Sequence, residues 1–201
     1  RAVAGAASGP SLYRGASFLL NRLGQRIAAP GVTIVDDGTI PTAIGSRPFD
    51  GEGLETRRTL LVDDGVLESY LLDTYSARKL SLASTHHAAR DGGGVGVSTT
   101  NCHLAPGDAA PEKLIASVKS GFYVTELIGF GVNMVTGDYS RGAVGLWIEN
   151  GELAYPVEEL TVAGNLLEML QAIDGVGNDL VLRDRTSAPT IRVAQMVVAC
   201  E

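Results

Sequence analysis

The sequence predicts an α+β fold: a mainly antiparallel, strongly twisted or barrel-like sheet built from β-hairpins, with a few short helices packed on it. Three observations carry this expectation. The stretch GLWIENGELAYPV places Asn150-Gly151 between two apolar runs. A type I′ turn needs positive φ at both central residues, so Asn-Gly there is a strong hairpin signal. The stretch LLVDDGVLESYLL repeats the design around Asp64-Gly65, and two such hairpins imply antiparallel pairing. Finally, 25 glycines with only 5% aromatic residues imply many turns around a core of small side chains.

Taken in order, residues 1–11 (RAVAGAASGPS) are small and flexible, a linker or the end of a helix. Residues 17–27 space Phe18, Leu19, Leu20, Leu23 and Ile27 as a helix does, with Arg22 and Arg26 on the other face. Ala28-Ala29-Pro30-Gly31 stops it. Residues 32–35 form a short strand that ends at Asp36-Asp37-Gly38, where an acidic pair before glycine reads as turn chemistry. Residues 57–62 and 66–73 are the arms of the first hairpin, and residues 74–82 (TYSARKLSL) a short helix.

From residue 83 to 107 periodicity is lost. The tract is a long glycine- and serine-rich loop, with short extended segments at Val95, Val97 and Leu104. Loops of this length in a compact domain are functional or disordered. Residues 108–121 read as a helix with Pro111 and Glu112 in its first turn and Gly121 as its C-terminal cap. A strand over 122–128 leads into the polar knot TGDYSRG and the second hairpin. The hairpin's first arm (Ala143, Val144, Leu146, Trp147, Ile148) is nearly continuously apolar, which predicts burial on both faces. Pro156 marks a sheet edge or strand end in the second arm. A helix over 166–173 and extended segments over 176–182 and 190–199 complete the chain.

These 201 residues, 45% apolar and 19% charged with mean hydropathy +0.14, are read as one globular domain spanning 1–201. A net charge of −7 (16 basic, 23 acidic) speaks against direct nucleic-acid binding, which needs a basic footprint. No apolar run approaches the roughly 18 residues of a membrane span. Cys102 and Cys200 lie far apart without C-x-x-C spacing, a pattern that fits a reducing compartment rather than a disulfide framework. The sequence opens at Arg1 without a methionine, and it is read as part of a longer protein whose N-terminal part is absent.

His86, His87, Cys102 and His103 are zinc-type donors in one glycine-rich region. They occur as adjacent pairs, whose side chains diverge, whereas structural zinc sites space their donors by about two to four residues. No metal is expected there, and the tract reads as a polar loop lining a groove. Asp138, Ser140 and Arg141 sit in TGDYSRGA. Ser140 has no histidine nearby in sequence and no G-x-S-x-G elbow, so a nucleophilic role is not expected. Asp138 is read as a turn cap, and Arg141 as a tie between loops or a contact for a peptide carboxylate. Both cysteines are read as inert, although Cys102 neighbours His103. Neither a phosphate loop nor a dinucleotide fingerprint is present. No catalytic residue is therefore expected, and the candidates for peptide or interface contact are Arg141, Asp138, Ser140 and His87.

Four segments carry a resemblance: SLYRGASFLLNRLGQRIAAPGVTIVDD (11–37), FDGEGLETRRTLLVDDGVLESYLLDTYSARKL (49–80), VTELIGFGVNMVTGDYSRGAVGLWIENGELAYPVEELTVAGNLLEML (124–170) and VGNDL (176–180). In order and content they resemble the C-terminal region of the TldD/PmbA family, and most closely its PmbA (TldE) branch. The resemblance implies a cytoplasmic protein of a family first described as modulators of DNA gyrase and as maturation factors for a peptide antibiotic. It implies a two-subunit metallopeptidase that degrades or trims unfolded peptides. In the TldD-type subunit an H-E-x-x-x-H helix and a C-terminal cysteine hold the metal; the PmbA-type subunit lacks them. Here residues 1–11 contain no histidine or glutamate, and residues 183–189 contain no cysteine. Cys200 falls where the family usually ends in glycine.

The resemblance thus implies a metal-free partner subunit that contributes to a peptide-binding chamber. Zinc is then expected only in a TldD-type partner, with a TldD-like subunit or a second copy as partner and unfolded peptide as substrate. Two alternatives stay open: a metallopeptidase using ligands outside this chain, and a non-enzymatic protein-binding modulator.

Overall fold

A computed structural model describes residues 1–200, with the side chains of all but Asp91 and Cys200. Helices α1 (Ala2–Ala6) and α2 (Gly9–Tyr13) precede β1 (Ile34–Asp37), β2 (Arg58–Asp63) and β3 (Val66–Leu67). Helix α3 (Thr74–Leu80) leads to β4 (Ala88–Asp91), β5 (Gly94–Val97) and β6 (Cys102–Leu104). Then come α4 (Pro111–Ala116), β7 (Ser120–Ile128), β8 (Asp138–Glu149), β9 (Glu152–Asn165) and α5 (Leu166–Gln171). The described chain closes with β10 (Ile173–Val176), β11 (Thr186–Ser187), β12 (Ile191–Val193) and β13 (Val197–Cys200). The architecture is α+β, and every strand pair is antiparallel except β6 with β11.

The expected strongly twisted or barrel-like sheet is not formed. The strands divide into sheets of order β11-β6-β1-β2-β3, β13-β9-β8-β7, β10-β12 and β4-β5. None is closed, because β7 does not pair with β13 nor β3 with β11. Closure requires the first and last strands to hydrogen-bond. A turn signal dictates pairing only across its own hairpin, and here the two hairpins enter different sheets. Both turns do take the left-handed backbone their residues favour: Asp64 and Gly65 have φ of 44° and 82°, Asn150 and Gly151 of 50° and 85°.

Residues 17–27 are not helical. Asn21 and Gly24 adopt positive φ, which ends any α-helix. The segment instead runs beside the first hairpin, where the Gly24 amide donates to the Leu67 carbonyl and the Ile27 amide to Gly65. The apolar residues divide accordingly: Phe18, Leu19 and Ile27 are buried, Leu20 and Leu23 exposed. Residues 1–11 are not a linker, since Ala4, Ala6, Ala7 and Leu12 belong to the core. The 83–107 tract is not a plain loop either, because it holds the β4–β5 hairpin and β6.

Helix α4 ends at Ala116, and Gly121 lies inside β7 rather than capping it. The returning arm after Asp64-Gly65 is only two residues long. In β8, Ala143 and Ile148 are buried while Leu146 and Trp147 are half-buried, so the arm is not buried on both faces. Helix α3 forms as expected: the Asp73 carboxylate accepts from the Ser76 amide, and the Asp73 amide donates to the Ser76 hydroxyl oxygen. The main core joins α1, α2 and the 17–27 segment to β2, β3, α3 and α5 through Leu12, Leu19, Leu61, Leu67, Leu72 and Leu166. Among the described residues no helix is long and apolar enough to cross a membrane.

Candidate functional site

The four-stranded sheet is the broad exposed feature of the molecule. Its hairpin pairs continuously from Glu149 opposite Glu152 to Asp138 opposite Asn165, with two register shifts. At one of them Glu159 takes φ 57°, a bulge that locally strengthens the twist. Outer strand β7 is exposed from Val124 through Ile128. It presents backbone donors and acceptors on the side away from β8. Phe122, Trp147 and Tyr155 stand opposite one another on adjacent strands, and the first two rings are 6.4 Å apart. Beyond β7, Phe130 stands fully in solvent, and Val135 is also exposed.

The polar knot organises one end of this sheet. Asp138 accepts from the Thr136 hydroxyl at 2.6 Å, and Asn165 Nδ2 approaches its other oxygen at 3.4 Å. Asn165 also caps α5, accepting from the Leu167 amide at 3.0 Å. Asp138 therefore braces the knot against the start of α5. The Ser140 amide donates to the Gly131 carbonyl at 2.7 Å, and the side chain of Ser140 is exposed. A Cβ on Gly131 would fall on the Ser140 carbonyl oxygen, so only glycine permits this approach.

Arg141 Nη2 donates to the Leu127 carbonyl at 3.0 Å, and its Nε is sealed from solvent without a partner. Burial pushes the neighbouring Tyr139 phenol up, against the pull of the Arg141 guanidinium. Along a strand side chains alternate. Asp138 and Ser140 thus share one face of β8, and Arg141 lies on the other.

His87 is not part of this end. It is 2% exposed, with Nε2 2.9 Å from Asp36 Oδ2 and Nδ1 2.9 Å from Thr85 Oγ1. Asp36 is fully buried and also accepts from the Thr100 amide at 2.9 Å and its hydroxyl at 2.8 Å. The network pins the 83–100 tract onto β1. Sequence reading took Asp36 for a turn residue and missed Thr85 and Thr100. No local pattern marks residues 36, 87 and 100 as neighbours; only β6 pairing with β1 brings them together.

The zinc-type donors are engaged elsewhere. His86 Nδ1 bonds the Glu55 carbonyl at 2.7 Å, and His103 Nδ1 the Asn101 carbonyl at 2.9 Å. Burial, reinforced by the Asp36 carboxylate, pushes the Cys102 thiol up to about 12, so it is neither a ligand nor a nucleophile near neutral pH. The Cys200 side chain lies outside the described residues. Among the described residues no group of three or more His, Cys, Asp or Glu is arranged to hold a metal. These residues do not fit zinc.

The profile of the PmbA/TldA metallopeptidase C-terminal domain matches residues 1–200. The Metalloprotease PmbA of Escherichia coli O157:H7 is 43% identical over 195 residues, which cover 97% of this chain and 42% of that protein. The chain thus spans less than half the length of such relatives. A crystal structure from Bacteroides thetaiotaomicron, described as a candidate modulator of DNA gyrase, superposes with TM-score 0.90 at 34% identity, covering 100% of this chain and 44% of that one. TldE from Thermococcus kodakarensis superposes with TM-score 0.88 at 25% identity, covering 98% of this chain and 46% of that one. The chain belongs to the PmbA/TldA metallopeptidase C-terminal domain family.

Proposed function

We propose that this chain is the C-terminal domain of a PmbA-type subunit that carries no metal of its own and completes a peptide-binding chamber with a TldD-like subunit or a second copy. The observation that carries the reading is the outer strand β7, exposed from Val124 to Ile128 and unpaired along one side. Such an edge takes up extended peptide by strand addition: backbone bonds supply affinity, and alternate side chains fill pockets. The exposed Leu127, Ile128 and Phe130 would line that path.

Two further observations support it. The described donors do not converge on a metal site, and the relatives include a structure named TldE. Arg141, Asp138 and Ser140 are the candidate contacts for peptide or partner, Arg141 because its Nε meets no acceptor at hydrogen-bonding geometry among the described residues. His87 would act only indirectly, fastening the 83–100 tract onto β1 through Asp36. Zinc would belong to the TldD-type partner, the substrate would be unfolded peptide, and the compartment the cytoplasm.

The test mixes the full-length protein with a TldD-type metallopeptidase and measures cleavage of an unstructured peptide. Cleavage well above that of the TldD-type subunit alone is the expected result. No gain, with the two proteins failing to associate, overturns the reading. Stoichiometric zinc bound by this protein alone would instead identify it as a metallopeptidase using ligands outside this chain.

A further inference from the structure

A second site is built by the segment between β1 and β2. Residues 38–56 fold over a hollow of about 450 Å³ lined by Thr39, Ile40, Pro41, Thr42, Arg47 and Glu55 among others. The volume lies within the usual range of small-ligand sites. Its rim is held from inside the protein. Asn101, 1% exposed, accepts from the Gly45 amide at 2.8 Å and donates to Ser46 Oγ at 2.9 Å. The Arg47 amide donates to the Gly38 carbonyl, and the Thr56 hydroxyl to the Arg47 carbonyl. The backbone of Arg47 is thereby clamped from both sides.

Its side chain is not. Among the described residues Arg47 has no ion-pair partner, and its Nε and Nη2 are sealed from water without any acceptor. These two nitrogens form one edge of the guanidinium, the edge that grips a carboxylate with two parallel bonds. A positive charge sealed from water without an acceptor among the described residues is costly, and an anion reaching this fork would relieve that cost. Part of the segment 40–44 lines the same hollow; the segment has no helix or strand, carries Thr42 at φ 62° and exposes Ile44. The packing that seals the two nitrogens must open for a ligand to reach the fork.

We infer that this hollow binds the free carboxylate end of a short peptide, with Arg47 as the carboxylate fork. The wall carries one cation and one anion, Arg47 and Glu55. That balance suits a monoanionic carboxylate better than a phosphate dianion, and Ile40, Pro41 and Pro48 suit an apolar terminal side chain. A new carboxylate end is what peptide-bond hydrolysis leaves on one product. The inference rests on the reading that this subunit handles peptides.

The experiment titrates the full-length protein with two peptides of identical sequence, one ending in a carboxylate and one in an amide, by calorimetry. Inorganic phosphate is the third probe. Loss of the charge-assisted fork is expected to weaken the amide by roughly tenfold or more. Arg47→Ala, and Arg47→Met, which keeps the apolar stem, should bring the two peptides to parity. Arg47→Lys should restore only part of the preference, since it lacks the fork. Equal binding of both peptides to the unaltered protein, or a preference that survives Arg47→Met, overturns this site and leaves the peptide-handling reading standing. Binding of neither peptide overturns this site, while the cleavage measurement with the TldD-type subunit decides the peptide-handling reading. Phosphate binding more tightly than the carboxylate peptide overturns the assignment of the ligand.

Discussion

The buried contact between Asp36 and His87 makes a sharp stability prediction. His87→Leu keeps much of the side-chain volume and removes both ring nitrogens. Asp36 Oδ2 then loses a partner at 2.9 Å in a site where neither residue is more than 2% exposed. The Thr100 amide and hydroxyl still bond the carboxylate, but no cation or imidazole faces it. Breaking a buried pair from one side costs about 3–5 kcal/mol, because the remaining group is left uncompensated. At roughly 2–4 °C per kcal/mol for a protein of this size, Tm should fall by about 6–20 °C. Calorimetric melting of the full-length protein, with urea unfolding alongside, measures this. The double variant Asp36→Leu/His87→Leu removes the charge together with its partner and should recover part of the loss. A His87→Leu variant within about 1 kcal/mol of the parent would refute the argument, as would a double variant less stable than the single one.

Three further outcomes are expected. Gly131→Ala drives a Cβ onto the Ser140 carbonyl, so it should loosen the knot and speed amide exchange at Ser140 and Asn133, with a smaller change in β1 and β2. The Cys102 thiol, raised from an ordinary value near 9.0 to about 12, should resist alkylation in the folded protein up to pH 9 and react fully once unfolded. The folded state keeps a proton that the unfolded chain releases above 9.0. Its contribution to stability is therefore intact below pH 9 and lost as pH rises toward 12, which urea midpoints across that range will show. Ile128→Glu alters an exposed side chain, so it should change stability by no more than about 0.5 kcal/mol. The same variant should reduce the gain in peptide cleavage seen with a TldD-type subunit.

Much of the local structure was legible in the sequence. Asn150-Gly151 and Asp64-Gly65 announce their turns because few residues accept positive φ, and both form. The helix expected over 74–82 forms as α3, and the Asp73–Ser76 cap that starts it spans only four residues. The helix expected over 17–27 fails for the complementary reason. Its apolar spacing is real, but the Gly24 and Ile27 amides are drawn to Leu67 and Gly65, carbonyls some forty residues away. The candidates Asp138, Ser140 and Arg141 do lie together in sequence, yet strand alternation divides them between two faces.

What only the tertiary structure decided is long-range. The sequence alone settled the two hairpin turns and the position of α3, since each depends on a few adjacent residues. It left open which sheet each hairpin joins, and open sheets formed where a closed one was expected. Nor did it pair Asp36 with His87 or place Arg47 without an acceptor. Backbone torsions are chosen locally, whereas burial and electrostatic partnership depend on residues brought together only when the whole chain folds.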